Sequence, residues 1–204
     1  MSKKISEDTR ALILDTAWSL MADKRRLDVG MAEIAAAAGV TRQTVFYAFG
    51  NRAGLLVAMV RHRDTHSQHV PILRAMGTGE GADATTLATF VDAWLSYLPE
   101  IYPVGIQLES AALSDADAAQ AWNDRFVDHG VRLGLVNILV RMVAAGTLAS
   151  TINPQRAADA CLSLLVPSAW RLLVVERGWS PKEFAQSRRQ LIAAVIGLAV
   201  WKAE

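Results

Sequence analysis

The chain has 204 residues, 52% hydrophobic and 20% charged, with a formal net charge of +1 at pH 7. This composition excludes an intrinsically disordered chain and predicts one or two globular domains with a sizeable core. The one cysteine, Cys161, excludes an intrachain disulfide and a metal site of several cysteines. No apolar segment follows the N-terminal lysines, and the longest apolar runs are too short to cross a bilayer. We therefore expect a cytoplasmic protein without a membrane partner.

Positive charge is concentrated towards the N-terminus. Residues 1–63 hold ten Lys/Arg and six Asp/Glu, whereas residues 64–204 hold eleven and fourteen. A module that faces phosphates needs such a basic excess.

The first predicted helix begins after Ser6, a good N-cap, and runs to about Asp23. A basic triplet follows it, Lys24, Arg25 and Arg26. Because the triplet lies at the negative end of the helix, we favour dipole compensation over a DNA contact as its role.

Two short helices joined by a glycine turn come next. The first, residues 31–38, ends at Gly39, because glycine readily adopts the left-handed backbone of a helix C-terminus. The second, residues 42–49, begins after Thr41, whose hydroxyl can accept a backbone N–H. Such a pair forms a helix-turn-helix, whose second helix enters the major groove of DNA.

The motif positions in this stretch are Ile34-Ala35, Ala38-Gly39-Val40, Thr41, Thr44-Val45-Phe46, Phe49, Arg52 and Leu55-Leu56. With them, residues 8–62 resemble the DNA-binding end of the tetracycline-repressor (TetR) family. Three positions depart from the family pattern: Phe46 replaces a tyrosine, Gly30 replaces a Ser/Thr cap, and Arg52 replaces a lysine. The resemblance implies a regulator, most often a repressor, that binds a palindromic operator as a homodimer and is released by a small-molecule effector.

Six side chains are predicted to contact double-stranded DNA. Arg42 matches the O6/N7 edge of guanine, Gln43 matches the N6/N7 edge of adenine, and Thr44 can read a thymine methyl. The expected phosphate contacts are Thr41, Tyr47 and Arg52.

Asn51 can cap a longer helix that runs from Arg52 to about His69 and ends at Pro71. Because this helix begins at the motif and its far end reaches the rest of the protein, we expect it to link DNA binding to effector binding.

We place the domain boundary at the start of this linking helix. Residues 1–51 form the predicted helix-turn-helix domain, and residues 52–204 form the effector-binding and dimerisation domain, with helix 52–70 as the link. The linking helix carries three histidines on one face, His62, His66 and His69. Imidazoles at this spacing can share a metal, but we favour an exposed polar face.

The remainder predicts helices throughout, so the fold class is all-α. The expected elements are residues 83–98, stopped by Pro99; a short helix after Pro103; residues 114–146; residues 153–177, kinked at Pro167; and residues 180–202. The long helix from residue 114 is expected to bury Leu133, Val136 and Val140.

Aromatic and polar residues in the middle helices have the mixed character of a small-molecule pocket. The candidate pocket residues are Trp94, Tyr97, Tyr102, Gln107, Trp122, Phe126 and Asn137. Core residues with satisfied polar tips remain the alternative for each of them.

The last two helices are too apolar to be covered on one side only. We expect them to form a four-helix interface between two copies of the chain, with a fully intrachain core as the alternative. The expected interface residues are Leu164, Trp170, Leu191, Val195 and Leu198.

An enzyme is not expected, because the chain lacks a glycine-rich phosphate loop after a strand, a Gly-x-Ser-x-Gly motif and a His-Glu-x-x-His motif. We expect no cofactor and no metal. The alternative to a repressor is a helical ligand-binding or interaction protein whose DNA module is not used for sequence-specific binding.

Overall fold

The computed structural model describes residues 5–24 and 29–198, and the predicted all-α class is confirmed. Arg25, Arg26 and the side chain of Lys24 lie outside the described residues. The helices, in chain order, are α1 (Glu7–Lys24), α2 (Met31–Ala37), α3 (Arg42–Phe49), α4 (Arg52–Asp64), α5 (His69–Thr78), α6 (Ala84–Ala111), α7 (Ala116–Trp122), α8 (Val131–Ala144), α9 (Pro154–Ser163), α10 (Pro167–Trp170) and α11 (Pro181–Ile196). Two π-helical turns extend α7 and α10, Asn123–Asp128 and Arg171–Glu176.

The predicted helix-turn-helix is confirmed as α2 and α3. Gly39 has a φ of 68°, the left-handed backbone that the turn requires. Thr41 is the N-cap of α3, where the Thr44 backbone N–H donates to its hydroxyl over 3.0 Å. Gly30 caps α2 without a side-chain hydrogen bond, as its replacement of a Ser/Thr cap implies.

Helix α6 is continuous where the sequence predicts two helices. Pro99 and Pro103 both lie inside it, so the predicted stop at Pro99 is wrong. A proline removes one helical N–H donor, and the remaining hydrogen bonds and apolar packing outweigh that loss here. The side chain of Gln107 adds a hydrogen bond in the affected segment, from Nε2 to the Pro103 carbonyl over 2.8 Å.

The predicted linking helix is two helices. α4 ends at Asp64, and α5 begins at His69 with Pro71 in its first turn. The backbone N–H groups of a first turn make no hydrogen bonds within the helix, so a proline there costs no helical hydrogen bond.

Two other long predicted helices are interrupted. The helix predicted over residues 114–146 is divided at Gly130, the N-cap of α8. The helix predicted over residues 153–177 is divided before Pro167, close to the expected kink.

The last helix begins with the expected capping box. The Glu183 backbone N–H donates to the Ser180 hydroxyl over 3.2 Å, and the Ser180 backbone N–H donates to the Glu183 carboxylate over 2.7 Å. The helix ends at Gly197, and residues 199–204 of the predicted extension lie outside the described part of the chain.

Contacts between the described residues form two compact units. The N-terminal unit contains the chain up to His66 together with Ile101–Trp122, and the C-terminal unit contains Ser67–Glu100 and the chain from Asn123 onwards. The division predicted at residues 51 and 52 concerns function and stays a prediction.

The core of the N-terminal unit is built around α1, the two motif helices α2 and α3, and α4. Its fully buried side chains include Ile13 and Ala17 of α1, Val45 of α3 and Leu55 of α4. Val104 and Leu108 of α6, and Ala118 of α7, belong to the same cluster. The last part of α6 is therefore a structural component of the unit that carries the helix-turn-helix.

The C-terminal unit packs α8 against α5 and α9, and α9 against α11. Arg141 of α8 closes the end of α5 by donating to the carbonyls of Met76, Gly77 and Gly81 over 2.7, 3.2 and 2.9 Å. Three residues expected inside lie further out: Leu133 and Val140 are exposed, and Val136 is half-buried. The break at Gly130 starts α8 anew, so its buried side is not the one that a continuous helix predicts.

Candidate nucleic-acid interface

Helix α3 has one buried side and one exposed side. Val45 and Phe49 are 0% and 8% exposed, which fixes the helix on the rest of the N-terminal unit. Arg42, Gln43 and Tyr47 are exposed on its other side. A helix anchored in this way can enter a major groove with its polar side chains leading.

The polar side chains of α3 and its N-cap form hydrogen bonds with one another. Nε2 of Gln43 donates to the Tyr47 hydroxyl over 3.1 Å, and the hydroxyls of Thr41 and Thr44 lie 2.8 Å apart. A tyrosine hydroxyl that accepts one hydrogen bond can still donate its own proton. Tyr47 therefore has a donor to offer to an acceptor such as a phosphate oxygen.

Phe46 is 59% exposed and Tyr47 is 69% exposed, which is unusual for aromatic side chains. Phe46 stands where the resembled family has a tyrosine and brings an apolar ring without a hydroxyl. Such a ring can pack on a thymine methyl or a sugar but cannot hydrogen-bond a phosphate.

Arg10 of α1 anchors α3, a role that the sequence analysis missed. Its Nη1 donates to the Ala48 carbonyl over 2.7 Å, and its guanidinium lies 4.4 Å from the centre of the Phe49 ring. Arg10 and Ala48 are separated by 38 positions in the sequence, so no local spacing predicts this contact.

The turn from α3 into α4 is tight. Asn51 caps α4, because its Oδ1 accepts from the Gly54 N–H over 2.8 Å, and its Nδ2 donates to the carboxylate of Asp117 on α7 over 2.7 Å. A Cβ on Gly54 would collide with the Phe49 carbonyl oxygen, so only glycine fits this approach of backbone to backbone.

Arg52 is half-buried and bound within the N-terminal unit. Its two Nη groups donate to the Val29 carbonyl and to the side-chain oxygen of Gln107. The expected phosphate contact of Arg52 stays a prediction, to which the structure adds an internal role.

Three of the candidate pocket residues meet in the C-terminal unit. The Trp94 ring lies 6.2 Å from the Tyr97 ring and 5.3 Å from the Phe126 ring, and both pairs are edge-to-face. Nε1 of Trp94 donates to the Leu165 carbonyl over 3.0 Å. Asn137 is half-buried on α8 of the same unit.

Three other candidates, Tyr102, Gln107 and Trp122, belong to the N-terminal unit. Gln107 is 5% exposed, and its amide is occupied by Arg52 and by the Pro103 carbonyl. Trp122 is partly buried against the core of that unit. Gln107 thus has a structural task that the pocket prediction did not foresee.

The expected dimer residues fall into three groups. Leu191 and Val195 of α11 are 41% and 38% exposed, and Leu164 and Leu198 are half-buried. Trp170 differs, since it is buried within the protomer, with its ring 5.1 Å from that of Phe184. Trp170 therefore presents no exposed surface to a second chain.

The stretch Pro154–Glu176 is strongly apolar and is mostly not buried. Its mean hydropathy reaches 1.5 over an 18-residue window, and only 28% of that window is buried. By length and composition alone it could cross a membrane, contrary to the expectation that the apolar runs are too short, and one such stretch is weak evidence for a span.

The histidines and the cysteine form no metal site among the described residues. Nε2 of His62 lies 3.0 Å from the carboxylate of Asp15, and Nε2 of His69 lies 3.3 Å from that of Glu100. Cys161 is 1% exposed, and burial raises the pKa of its thiol to about 12.

The family model of bacterial regulatory proteins, tetR family, matches residues 13–59, which include α2, α3 and most of α1 and α4. This stretch of the chain therefore resembles the DNA-binding domain of the TetR family, and the helix-turn-helix lies within it. A comparison with curated protein sequences found no match.

Solved structures share the TetR fold along nearly the whole chain. A TetR transcription regulator from Haloarcula marismortui is 15% identical with a TM-score of 0.71, covering 94% of this chain and 98% of its own. A SmeT–triclosan complex is 17% identical with a TM-score of 0.66, covering 92% and 91%. NalD, the secondary repressor of the MexAB-OprM multidrug efflux pump in Pseudomonas aeruginosa, is 19% identical with a TM-score of 0.59, covering 97% and 100%. At these identities the likeness establishes the fold alone.

Proposed function

We propose that this protein is a cytoplasmic repressor of the TetR type that binds a palindromic operator as a homodimer and leaves it when a small-molecule effector binds. The observation that carries the proposal is the exposed side of α3. Buried Val45 and Phe49 hold the helix, while Arg42, Gln43 and Tyr47 point away from the unit. This arrangement suits insertion into a major groove.

The proposed base contacts are Arg42 to guanine, Gln43 to adenine and Thr44 to a thymine methyl. The proposed phosphate contacts are Thr41, Tyr47 and Arg52. The hydrogen bond between Gln43 and Tyr47 supports this assignment, because it restrains two flexible side chains before DNA arrives.

The proposed dimer uses the exposed side of α11 and the apolar stretch Pro154–Glu176. Leu191 and Val195 are large apolar side chains with two-fifths of their surface exposed, and the neighbouring stretch is mostly uncovered in the protomer. Uncovered apolar surface of this kind is typical of protein interfaces. A two-fold dimer would place two α3 helices on half-sites about 34–36 Å apart, or a multiple of that distance.

The proposed effector region is the aromatic cluster of Trp94, Tyr97 and Phe126 in the C-terminal unit. That SmeT, a protein of the same fold, forms a complex with triclosan supports a ligand site in this architecture. A coupling of about 1–3 kcal/mol between effector and DNA would change operator affinity by roughly 5–150-fold.

The deciding experiment measures the affinity of the protein for DNA from the region upstream of its own gene and for random DNA of equal length. Fluorescence anisotropy at several salt concentrations separates specific binding from charge attraction. We expect the upstream DNA to bind about a thousandfold tighter or more. Equal affinity for both DNAs would favour the alternative, a helical ligand-binding or interaction protein whose DNA module is not used for sequence reading.

A further inference from the structure

Arg188 of α11 is a buried arginine without a counter-ion among the described residues. Arg188 is 8% exposed, and its buried Nε has no hydrogen-bond partner within residues 5–24 and 29–198. In the same described ranges, its Nη2 donates to the hydroxyl of Ser187 over 3.0 Å. Burial lowers the pKa of Arg188, yet a guanidinium stays charged in proteins.

Among the described residues, the neighbouring arginine, Arg189, is paired with a carboxylate, unlike Arg188. Nε of Arg189 lies 2.5 Å from the carboxylate of Asp92, which makes a charge-assisted pair within the C-terminal unit. Two consecutive arginines of one helix thus differ sharply, since one is paired with an acid and the other is buried against aromatic surface.

Aromatic rings line the apolar surroundings of Arg188. Its guanidinium carbon lies 5.1 Å from the centre of the Phe184 ring, and that ring lies 5.1 Å from the ring of Trp170. A cation above an aromatic face gains some energy, but far less than the cost of removing a charge from water. An anion is the group that would balance this cost.

We propose that Arg188 binds the acidic group of a small carboxylic acid, with the apolar body of the ligand against Phe184 and Trp170. The planar fork formed by Nε and its neighbouring Nη matches the two oxygens of a carboxylate. The ligand would supply the missing acceptor and the missing charge together. The inference goes beyond the proposed function, because these residues are not those of the proposed effector cluster of Trp94, Tyr97 and Phe126, and it rests on the proposed function only for a link to DNA release.

The test uses the full-length protein without DNA and two probe pairs of equal shape, benzoate with benzamide and octanoate with octanamide. Binding is followed by thermal unfolding and by calorimetric titration. We expect at least one of the two acids to raise the melting temperature in a concentration-dependent way, and its amide to have no such effect. Failure of both acids to exceed their amides overturns the proposal.

Variants identify the residue. Arg188→Met keeps the approximate length of the side chain and removes the charge, so we expect acid binding to weaken about tenfold to hundredfold. In the ligand-free protein the same change should leave the melting temperature equal or higher, because an unpaired buried charge is removed. Arg189→Met is the matched control, which breaks the pair with Asp92 and should leave acid binding unchanged.

Two other results would contradict the assignment. If Arg188→Met binds the acid as tightly as the wild type, the carboxylate lies elsewhere. If Arg188→Met dissociates a dimer into monomers, the partner of Arg188 is an acidic group of a second copy of the chain.

The proposed function is tested separately by adding the bound acid to the protein–DNA complex. If the acid binds through Arg188 and the DNA stays bound, the site stands and its role as effector site fails. If the DNA is released only by a neutral compound that binds equally well to Arg188→Met, the repressor stands and the carboxylate site fails.

Discussion

Arg52, the first residue of α4, donates a hydrogen bond to the side-chain oxygen of Gln107 on α6. The same amide donates to the Pro103 carbonyl, so Gln107 connects the start of α4 to the backbone of α6. Helix α6 contributes to both units, with its residues up to Glu100 in the C-terminal unit and those from Ile101 in the N-terminal unit.

The pairing of Arg52 with Gln107 should appear as a coupling energy. In a double-mutant cycle of Arg52→Ala and Gln107→Ala, we expect the two losses in the free energy of unfolding to be non-additive by about 1–2 kcal/mol. Denaturant titration of the four proteins measures it. Additive losses would mean that the hydrogen bond contributes nothing to the unit.

The phosphate contact proposed for Arg52 is measured by the salt dependence of DNA binding. Arg52→Ala should reduce the slope of log affinity against log salt by about one. Gln107→Ala serves as the control, because it disturbs the same hydrogen bond without removing a charge. An unchanged slope for Arg52→Ala would restrict this residue to its internal role.

Arg42 is expected to read a base. Arg42→Ala should cost about 1–3 kcal/mol of binding energy on the cognate operator and relax the preference at one base pair. Arg61→Ala, which removes another exposed charge, from α4, is the matched control and should leave base preference intact. If Arg42→Ala weakens binding to cognate and random DNA equally, Arg42 contacts a phosphate.

Val195→Arg should separate the proposed dimer. Two-fold symmetry puts two unpaired charges into one apolar contact, at a cost of several kcal/mol. Gln186→Arg is the control, since Gln186 is exposed nine residues earlier, about 180° around α11. Light scattering distinguishes a dimer from a monomer of 22.1 kDa. A wild-type monomer at micromolar concentration would refute the dimer and the palindrome-reading mechanism.

The capping box of α11 should make stability depend on pH in the acidic range. Hydrogen bonds from the Ser180 backbone and hydroxyl lower the pKa of Glu183 from its usual 4.5. A lowered pKa in the folded state means stabilisation that is complete above pH 4.5 and is lost as the pH falls below it.

Glu183→Gln removes this titration. The advantage of the wild type over Glu183→Gln in free energy of unfolding should be constant at neutral pH and shrink below about pH 4.5. A difference that grows on acidification would contradict the role of the carboxylate.

Sequence signals predicted the parts of the fold that local chemistry decides. Thr41 and Ser180 predict helix starts because their hydroxyls can accept hydrogen bonds from backbone N–H groups of the first turn, and both caps are present. Pro99 misled the prediction, because tertiary packing carries α6 through a position where a proline usually ends a helix.

The tertiary roles of individual side chains could not be read from the sequence. The contact of Arg52 with Gln107 spans 55 residues, and no periodicity records it. The sequence predicts Trp170 as an interface residue, but the structure buries its side chain. The short helix that carries it begins at Pro167 and continues into a π-helical turn, and neither feature was predicted in detail. The outer side of α3 was easier, because its buried and exposed positions alternate with the helical period.

The buried thiol of Cys161 can report the opening of the C-terminal unit without any added label site. It is the chain's only cysteine, and with a pKa near 12 and 1% exposure it is both protonated and covered. Thiolates, not thiols, attack labelling reagents, so reaction requires the C-terminal unit to open first. The labelling rate of the unmodified protein therefore measures how often this unit opens, and any compound that binds there should slow it.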